Sequence, residues 1–154
     1  MNDEYYMMEA IRLSKMAAEH GNEPYGAILV KDGEIVFSNE NQIRTKHDPT
    51  FHAETGLIHR FCTETGITDL REYTMYSSCE PCFMCSGAIV KARLGRLVYA
   101  TSNIECWRIL GKESCNCSRI VFDHSFWRPE VSAGVCREES LEVLRDYYAE
   151  HRGE

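Results

Sequence analysis

The chain predicts an α/β fold: short strands alternating with amphipathic helices, built around a mostly parallel sheet with helices on both faces. Three observations point there. Apolar runs of strand length recur between stretches whose apolar residues are spaced three to four apart. Glycine, proline and asparagine punctuate the joins. No internal repeat, low-complexity tract or linker divides the 154 residues, so one domain spanning 1–154 is expected. Alternation of this kind favours right-handed crossovers between parallel strands.

The elements follow in order. From Asp3 to about His20, Tyr6, Ala10, Leu13 and Ala17 mark one face of an opening helix, broken by Gly21-Asn22-Glu23-Pro24. Tyr25 to Val30 is a short apolar strand, Lys31-Asp32-Gly33-Glu34 a hairpin turn and Ile35 to Ser38 a second strand. Asn39 to Asp48 has no periodicity and reads as a loop. Thr50 caps a helix that begins near His52 and ends at Gly66. Tyr73 to Ser77 is a third strand, Ser78 to Pro81 a turn, and Cys82 to about Arg93 a helix with Pro81 at its start. Gly95 stops that helix, and Arg96 to Ala100 forms a fourth strand. Asn103 to Gly111 reads as a short helix, Arg119 to Phe122 as a fifth strand and Glu138 to His151 as a closing helix.

Two short segments carry chemistry. His52-Ala53-Glu54 and Pro81-Cys82-Phe83-Met84-Cys85 together offer one imidazole and two thiols, the three ligands a catalytic zinc takes while keeping a fourth position open for water. Glu54 is too close along the chain to His52 to be a convenient fourth ligand but is well placed as a general base. An H-x-E segment followed by P-C-x-x-C is the signature of zinc deaminases. Both halves open a helix, so His52, Cys82 and Cys85 are expected to converge where two positive helix ends meet, favouring thiolates and an activated water. Glu54 would then carry protons from that water to a ring nitrogen and to departing ammonia.

Plainer readings stand beside this one. Cys79, Cys82 and Cys85 fall at equal intervals, and Cys79 as a fourth ligand would close the site and abolish catalysis. Against that, Pro81 starts the helix after Cys79, and a closed site would give Glu54 no task. Cys115 and Cys117 could hold a second metal. Cys62, Cys106 and Cys136 read as buried or free thiols, and His20, His47, His59 and His151 as ordinary histidines.

Composition bounds the class. Hydrophobic residues at 44% and charged residues at 27% describe an ordinary globular chain. The first residues carry acids where an export signal would carry basic charge, and no apolar run approaches the roughly 20 residues that cross a bilayer, so the cytosol is expected and a membrane is not. In that compartment eight cysteines point to metal ligands and reduced thiols rather than a disulfide framework. A net charge of -7 argues against a nucleic-acid polymer as partner, because phosphate binding needs a basic surface.

The stretches Pro24-Tyr25-Gly26-Ala27, Asp48-Pro49-Thr50-Phe51-His52-Ala53-Glu54 and Ser78-Cys79-Glu80-Pro81-Cys82-Phe83-Met84-Cys85 resemble the cytidine deaminase superfamily, in the branch of guanine, cytosine and tRNA adenosine deaminases. The resemblance spans roughly the first hundred residues. It implies a three-layer α/β/α sandwich with a five-stranded mixed sheet, a homodimer, a Zn2+ cofactor and a small heterocyclic base as substrate. It also implies that Asn41 contacts the base, that the backbone near Ala53 does so, and that Tyr25 forms an aromatic wall. Phe122-Asp123-His124-Ser125-Phe126 resembles a guanine deaminase segment that seals the pocket, so Phe122, His124 and Phe126 are expected at the substrate. His124 stands where that segment has a second aspartate, and a neutral imidazole offers one donor and one acceptor where a carboxylate only accepts. Guanine is thus the leading expected substrate. Cytosine, a pterin, a triazine, a nucleoside, the adenosine of a tRNA, and a non-catalytic zinc module remain open.

Overall fold

A computed structural model describes residues 2–151. Its order is α1 Asp3–Glu19, β1 Gly26–Lys31, β2 Glu34–Glu40, α2 Ile43–Lys46, α3 Ala53–Thr65, β3 Thr74–Cys79, α4 Phe83–Ala92, β4 Arg96–Thr101, α5 Asn103–Ile109, α6 Ser118–Asp123, β5 Glu130–Ala133 and α7 Arg137–Glu150. One five-stranded sheet runs β2-β1-β3-β4-β5. Helices α1 and α7 lie on one face, where Met7, Ala10 and Ile11 pack on Ile28, Tyr76 and Val98. Helices α3, α4 and α6 lie on the other, where Leu57, Phe61, Ile89 and Phe122 pack on Leu29, Met75 and Leu97. This is the three-layer arrangement with a five-stranded mixed sheet.

The sheet is mixed rather than mostly parallel. β1 pairs antiparallel with both β2 and β3, whereas β3–β4 and β4–β5 are parallel. The tight turn at Asp32 and Gly33, both with positive φ, forces the first antiparallel pair. The register then levels the strand ends that matter. Gly26 sits opposite Glu40, Ala27 opposite Ser77, and Cys79 opposite Thr101. Tyr25, Asn41, Glu80 and Ser102 therefore leave the sheet along a single edge.

Helix α1 approaches β1 more closely than any side chain would permit. A Cβ at Gly26 would run into the Ala10 carbonyl, so glycine alone allows that contact. Gly95 fills the same role where the chain enters β4, against the Arg71 carbonyl.

Two expected elements differ. The run Arg119 to Phe122 is helical, not a fifth strand. Four apolar-leaning residues cannot distinguish the two periods, and the Glu80 carboxylate settles it by accepting from both the backbone N–H and the hydroxyl of Ser118, in the first turn of α6. The fifth strand is instead Glu130–Ala133, after Pro129. The cap of α3 is His52 rather than Thr50, whose hydroxyl turns away to Asp48 at 2.6 Å. Residues Ile43–Lys46, expected as loop, form one helical turn held by Asn22, whose Oδ1 accepts from the backbone of Arg44 and Thr45.

The first turn of α1 is tied across the sheet. Asp3 accepts a bidentate pair from Arg96 at 2.9 and 2.8 Å and a 2.6 Å bond from the Tyr76 hydroxyl. The Arg96 guanidinium holds the Asp3 carboxyl at about 2, below its ordinary 3.8. Because the folded value lies below the unfolded one, the contribution is complete at neutral pH and is lost as pH falls through about 2. Both side chains are a little over a quarter exposed, so solvent screening trims it to about 1 kcal/mol. Asp3→Asn is expected to lower unfolding stability by about that amount at pH 7 and to match the parent near pH 2, as measured by denaturant titration at both values.

Candidate active site

Both ligand segments begin helices. His52 is the residue that caps α3, and Cys82 the one that caps α4. The His52 N–H donates to the Thr55 hydroxyl at 3.1 Å, and the Cys85 N–H points at the Cys82 sulfur at 3.5 Å. The imidazole Nδ1 lies 3.6 Å from the Cys82 sulfur and 3.5 Å from the Cys85 sulfur. A tetrahedral zinc with nitrogen at about 2.0–2.1 Å and sulfur at about 2.3 Å would space them about 3.6 Å apart. The three atoms are thus set for that ion, and the donor set matches its chemistry.

Among the described residues no fourth histidine, cysteine or carboxylate joins the cluster. Cys79 ends β3, buried, with its free thiol hydrogen-bonded to that of Cys106 instead. The closed four-ligand reading therefore fails. Cys115 and Cys117 form no second cluster; Cys115 is exposed and Cys117 caps α6.

Electrostatics separates the two thiols. Cys82 is drawn down to about 4 by the Cys85 thiol donating to it and by His52. Cys85, the donor, is pushed up. A coordinated dication removes the proton from both. Glu54 is 5% exposed in the first turn of α3, and burial pushes its carboxyl up to about 7, with His52 opposing. A carboxyl that gains and gives up a proton near neutrality suits a proton carrier.

Beside the ligands is a cavity of about 300 Å³, lined by His52, Glu54, Cys82, Tyr25, Asn41 and Asn103 together with Trp107, Tyr147 and Tyr148. Tyr148 in α7 meets Tyr25 hydroxyl to hydroxyl at 2.6 Å, and the Tyr25 hydroxyl also lies 3.4 Å from the Cys106 sulfur. Tyr25 and Asn41 therefore share this cavity with His52 and Cys82. Ala53 lies fully buried between His52 and Glu54, its carbonyl accepting from Asn39.

Three expected contacts are not brought to this cavity. Phe122 is buried in the core under α3 and α4. His124 closes α6, with its Nδ1 2.8 Å from the Ile120 carbonyl, and Phe126 is 64% exposed beneath the Lys91 and Arg93 cations. The physical reason is the helix at 118–123. The helix turns Phe122 into the core and leaves His124 and Phe126 on the outer surface.

The sequence reading missed Glu80, Asn103 and the α5 wall. Glu80 is 5% exposed and accepts from the Asn103 N–H at 2.9 Å as well as from Ser118. One carboxylate thus ties the metal loop to the starts of α5 and α6. Its place directly before Pro81-Cys82 was the available signal.

Fold and ligand triad together fit an enzyme in which His52, Cys82 and Cys85 would hold a zinc ion beside a small cavity. Residues 1–101 match the cytidine and deoxycytidylate deaminase zinc-binding region, and the chain belongs to that family of zinc-dependent deaminases. It is 39% identical over 106 residues to guanine deaminase from Bacillus subtilis, covering 68% of each chain. It is 34% identical over 151 residues to the tRNA-specific adenosine deaminase of the same organism, covering 97% of this chain and 91% of that one. It is also 36% identical over 147 residues to tRNA(Ile)-lysidine synthase from Deinococcus radiodurans, which it matches over 95% of its own length but only 24% of that protein's. A solved tRNA:A34 deaminase superposes with a TM-score of 0.79 at 31% identity, over 90% of this chain and 98% of that one.

Cys82→Ala and Cys85→Ala are each expected to lose zinc, scored by metal analysis. The unfolding free energy should fall by about 2.7 kcal/mol or more where free zinc exceeds the parent dissociation constant a hundredfold. A chelator should lower the melting temperature of the parent and leave both variants unmoved.

Proposed function

We propose that this chain removes the exocyclic amine of a free aminated purine-like base, with guanine as the leading candidate. The observation that carries this is the size of the cavity beside the ligands, about 300 Å³ and walled in part by the Tyr25–Tyr148 pair, space for a single heterocycle. When bound, zinc lowers the pKa of a water molecule toward about 7 and supplies a nucleophile at neutral pH. Glu54 would carry both protons of the attacking water in turn, giving the first to the ring nitrogen beside the reacting carbon and the second to the departing amine. Water enters, ammonia leaves and a carbonyl replaces the amine. Asn41 orients the ring by hydrogen bonding, Tyr25 walls the cavity, and the first-turn N–H groups of α3 around Ala53 lack intrahelical acceptors and favour negative charge.

Three further features belong to this reading. Eight free cysteines suit a reducing, cytosolic setting. No helix among the described residues is long and apolar enough to cross a membrane. Phe83 and Met84, 44% and 38% exposed beside the metal loop, support a homodimer with a second copy seated there. The chain acts as one catalytic domain.

A second reading, deamination of a tRNA adenosine, is favoured by the longer relatives and by Arg44 and Lys112 at the cavity. The charge balance weighs against it. The net charge is -7, and α7 carries Glu138, Glu139, Glu142, Asp146 and Glu150 against Arg137 and Arg145.

Ammonia release from guanine, other free bases, nucleosides and an anticodon stem-loop RNA tests the choice. Guanine or a related free base is expected to react; reaction of the RNA alone would install the second reading. Glu54→Ala is expected to keep its zinc and lose at least about 100-fold in turnover. Unchanged turnover would remove the proton-carrier role, and inactivity of the parent on every substrate would leave a zinc-binding module.

A further inference from the structure

Two asparagines line the cavity with their amides locked in opposite senses. Asn41 Oδ1 accepts from the Ile43 backbone at 3.1 Å, which leaves its NH2 group for the cavity. Asn103 Nδ2 donates to the carbonyls of Pro81 at 3.2 Å and Asn116 at 2.8 Å, which leaves its carbonyl oxygen. A backbone N–H can meet only an oxygen and a carbonyl only an N–H, so rotating either amide forfeits these bonds. Among the described residues nothing donates to the Asn103 oxygen, it is not sealed from solvent, and the residue lines the cavity. The residue is 8% exposed and heads α5 directly after its Ser102 cap, and the Glu80 carboxylate fixes its backbone.

We infer that Asn103 is a specificity-determining residue whose carbonyl accepts a hydrogen bond from a ring N–H of the substrate. This rests on the deamination of a heterocycle in this cavity and narrows which heterocycle that is. A substrate must present a donor toward Asn103 and an acceptor toward Asn41. Guanine carries both kinds around its ring, with N–H groups on each of its two rings and acceptors at O6 and N3. A base that brings only an acceptor or a methyl group to Asn103 strips water from the amide oxygen and returns nothing, a cost larger than the gain from a matched bond. Sites built to pair a donor reject analogues lacking it far more strongly than apolar pockets reject an altered shape.

The test compares kcat/KM for guanine and for 1-, 7- and 9-methylguanine in the parent, in Asn103→Leu and in Asn103→Asp. Both variants lose the two bonds to Pro81 and Asn116, and the aspartate also turns an oxygen toward those carbonyls, but only the aspartate keeps an acceptor oxygen for the substrate. In the parent, one methylated base is expected to react about 10-fold or more slower than guanine. That ratio should collapse toward one in Asn103→Leu, through loss of guanine activity, and persist in Asn103→Asp. Ratios unchanged in Asn103→Leu would overturn the assignment, since a merely structural residue lowers every substrate alike. Zinc content and melting temperature identify a variant that has not folded. If neither variant folds, the parent series decides alone, and three methylated bases reacting within about threefold of guanine would overturn it. A parent that deaminates no free base removes the underlying reading instead, an outcome distinct from any of these.

Discussion

The metal ligands are also the residues that start the helices, and much of this molecule follows from that double duty. His52 and Cys82 each stand at the cap of a helix, where first-turn N–H groups have no intrahelical acceptor. Neutral caps are usually serine, threonine or asparagine. Here a sulfur faces the first turn of α4, and both positive helix ends point at one small volume. Moving either helix by one residue would change both the cap and the coordination sphere. The spacing of about 3.5 Å among nitrogen and sulfurs is therefore fixed by backbone, not by side-chain choice alone.

What holds the rest of the site in line is the leveling of strand ends. Four segments leave the sheet at one edge because β1 is antiparallel to both neighbours while β3 and β4 run together. Glu80 then closes the arrangement from the far side, one carboxylate accepting from the starts of two helices. The acidic side chain suits those helix ends for the same reason that a thiolate suits α4.

The sequence was most legible where one local rule decides. The apolar spacing of α1, the left-handed Gly66 after α3 and the proline ahead of α4 give their elements to within a residue or two. His52, Glu54, Cys82 and Cys85 were readable because zinc chemistry restricts both residue type and spacing. Legibility failed where a distant partner decides. Residues 118–123 turn into a helix through Glu80, nearly forty positions earlier, and with that turn His124 and Phe126 leave the cavity. The mixed sheet and the hairpin at Gly33 were expected; local pattern could not say that β1 also pairs antiparallel with β3, because that pairing joins segments more than forty residues apart. Asn103 carries no motif. Only the carbonyls of Pro81 and Asn116, brought beside it by the fold, mark which end of its amide is free.

Tyr25 opens the first strand and Tyr148 lies in the last helix, yet their hydroxyls touch. Segments from near the start and the end of the chain thus meet in the cavity wall, joined by a single neutral bond worth on the order of 1 kcal/mol. The last helix is thereby tied to the mouth of the first strand, and loosening α7 would be felt at the cavity wall as well as at the C-terminal end of the fold.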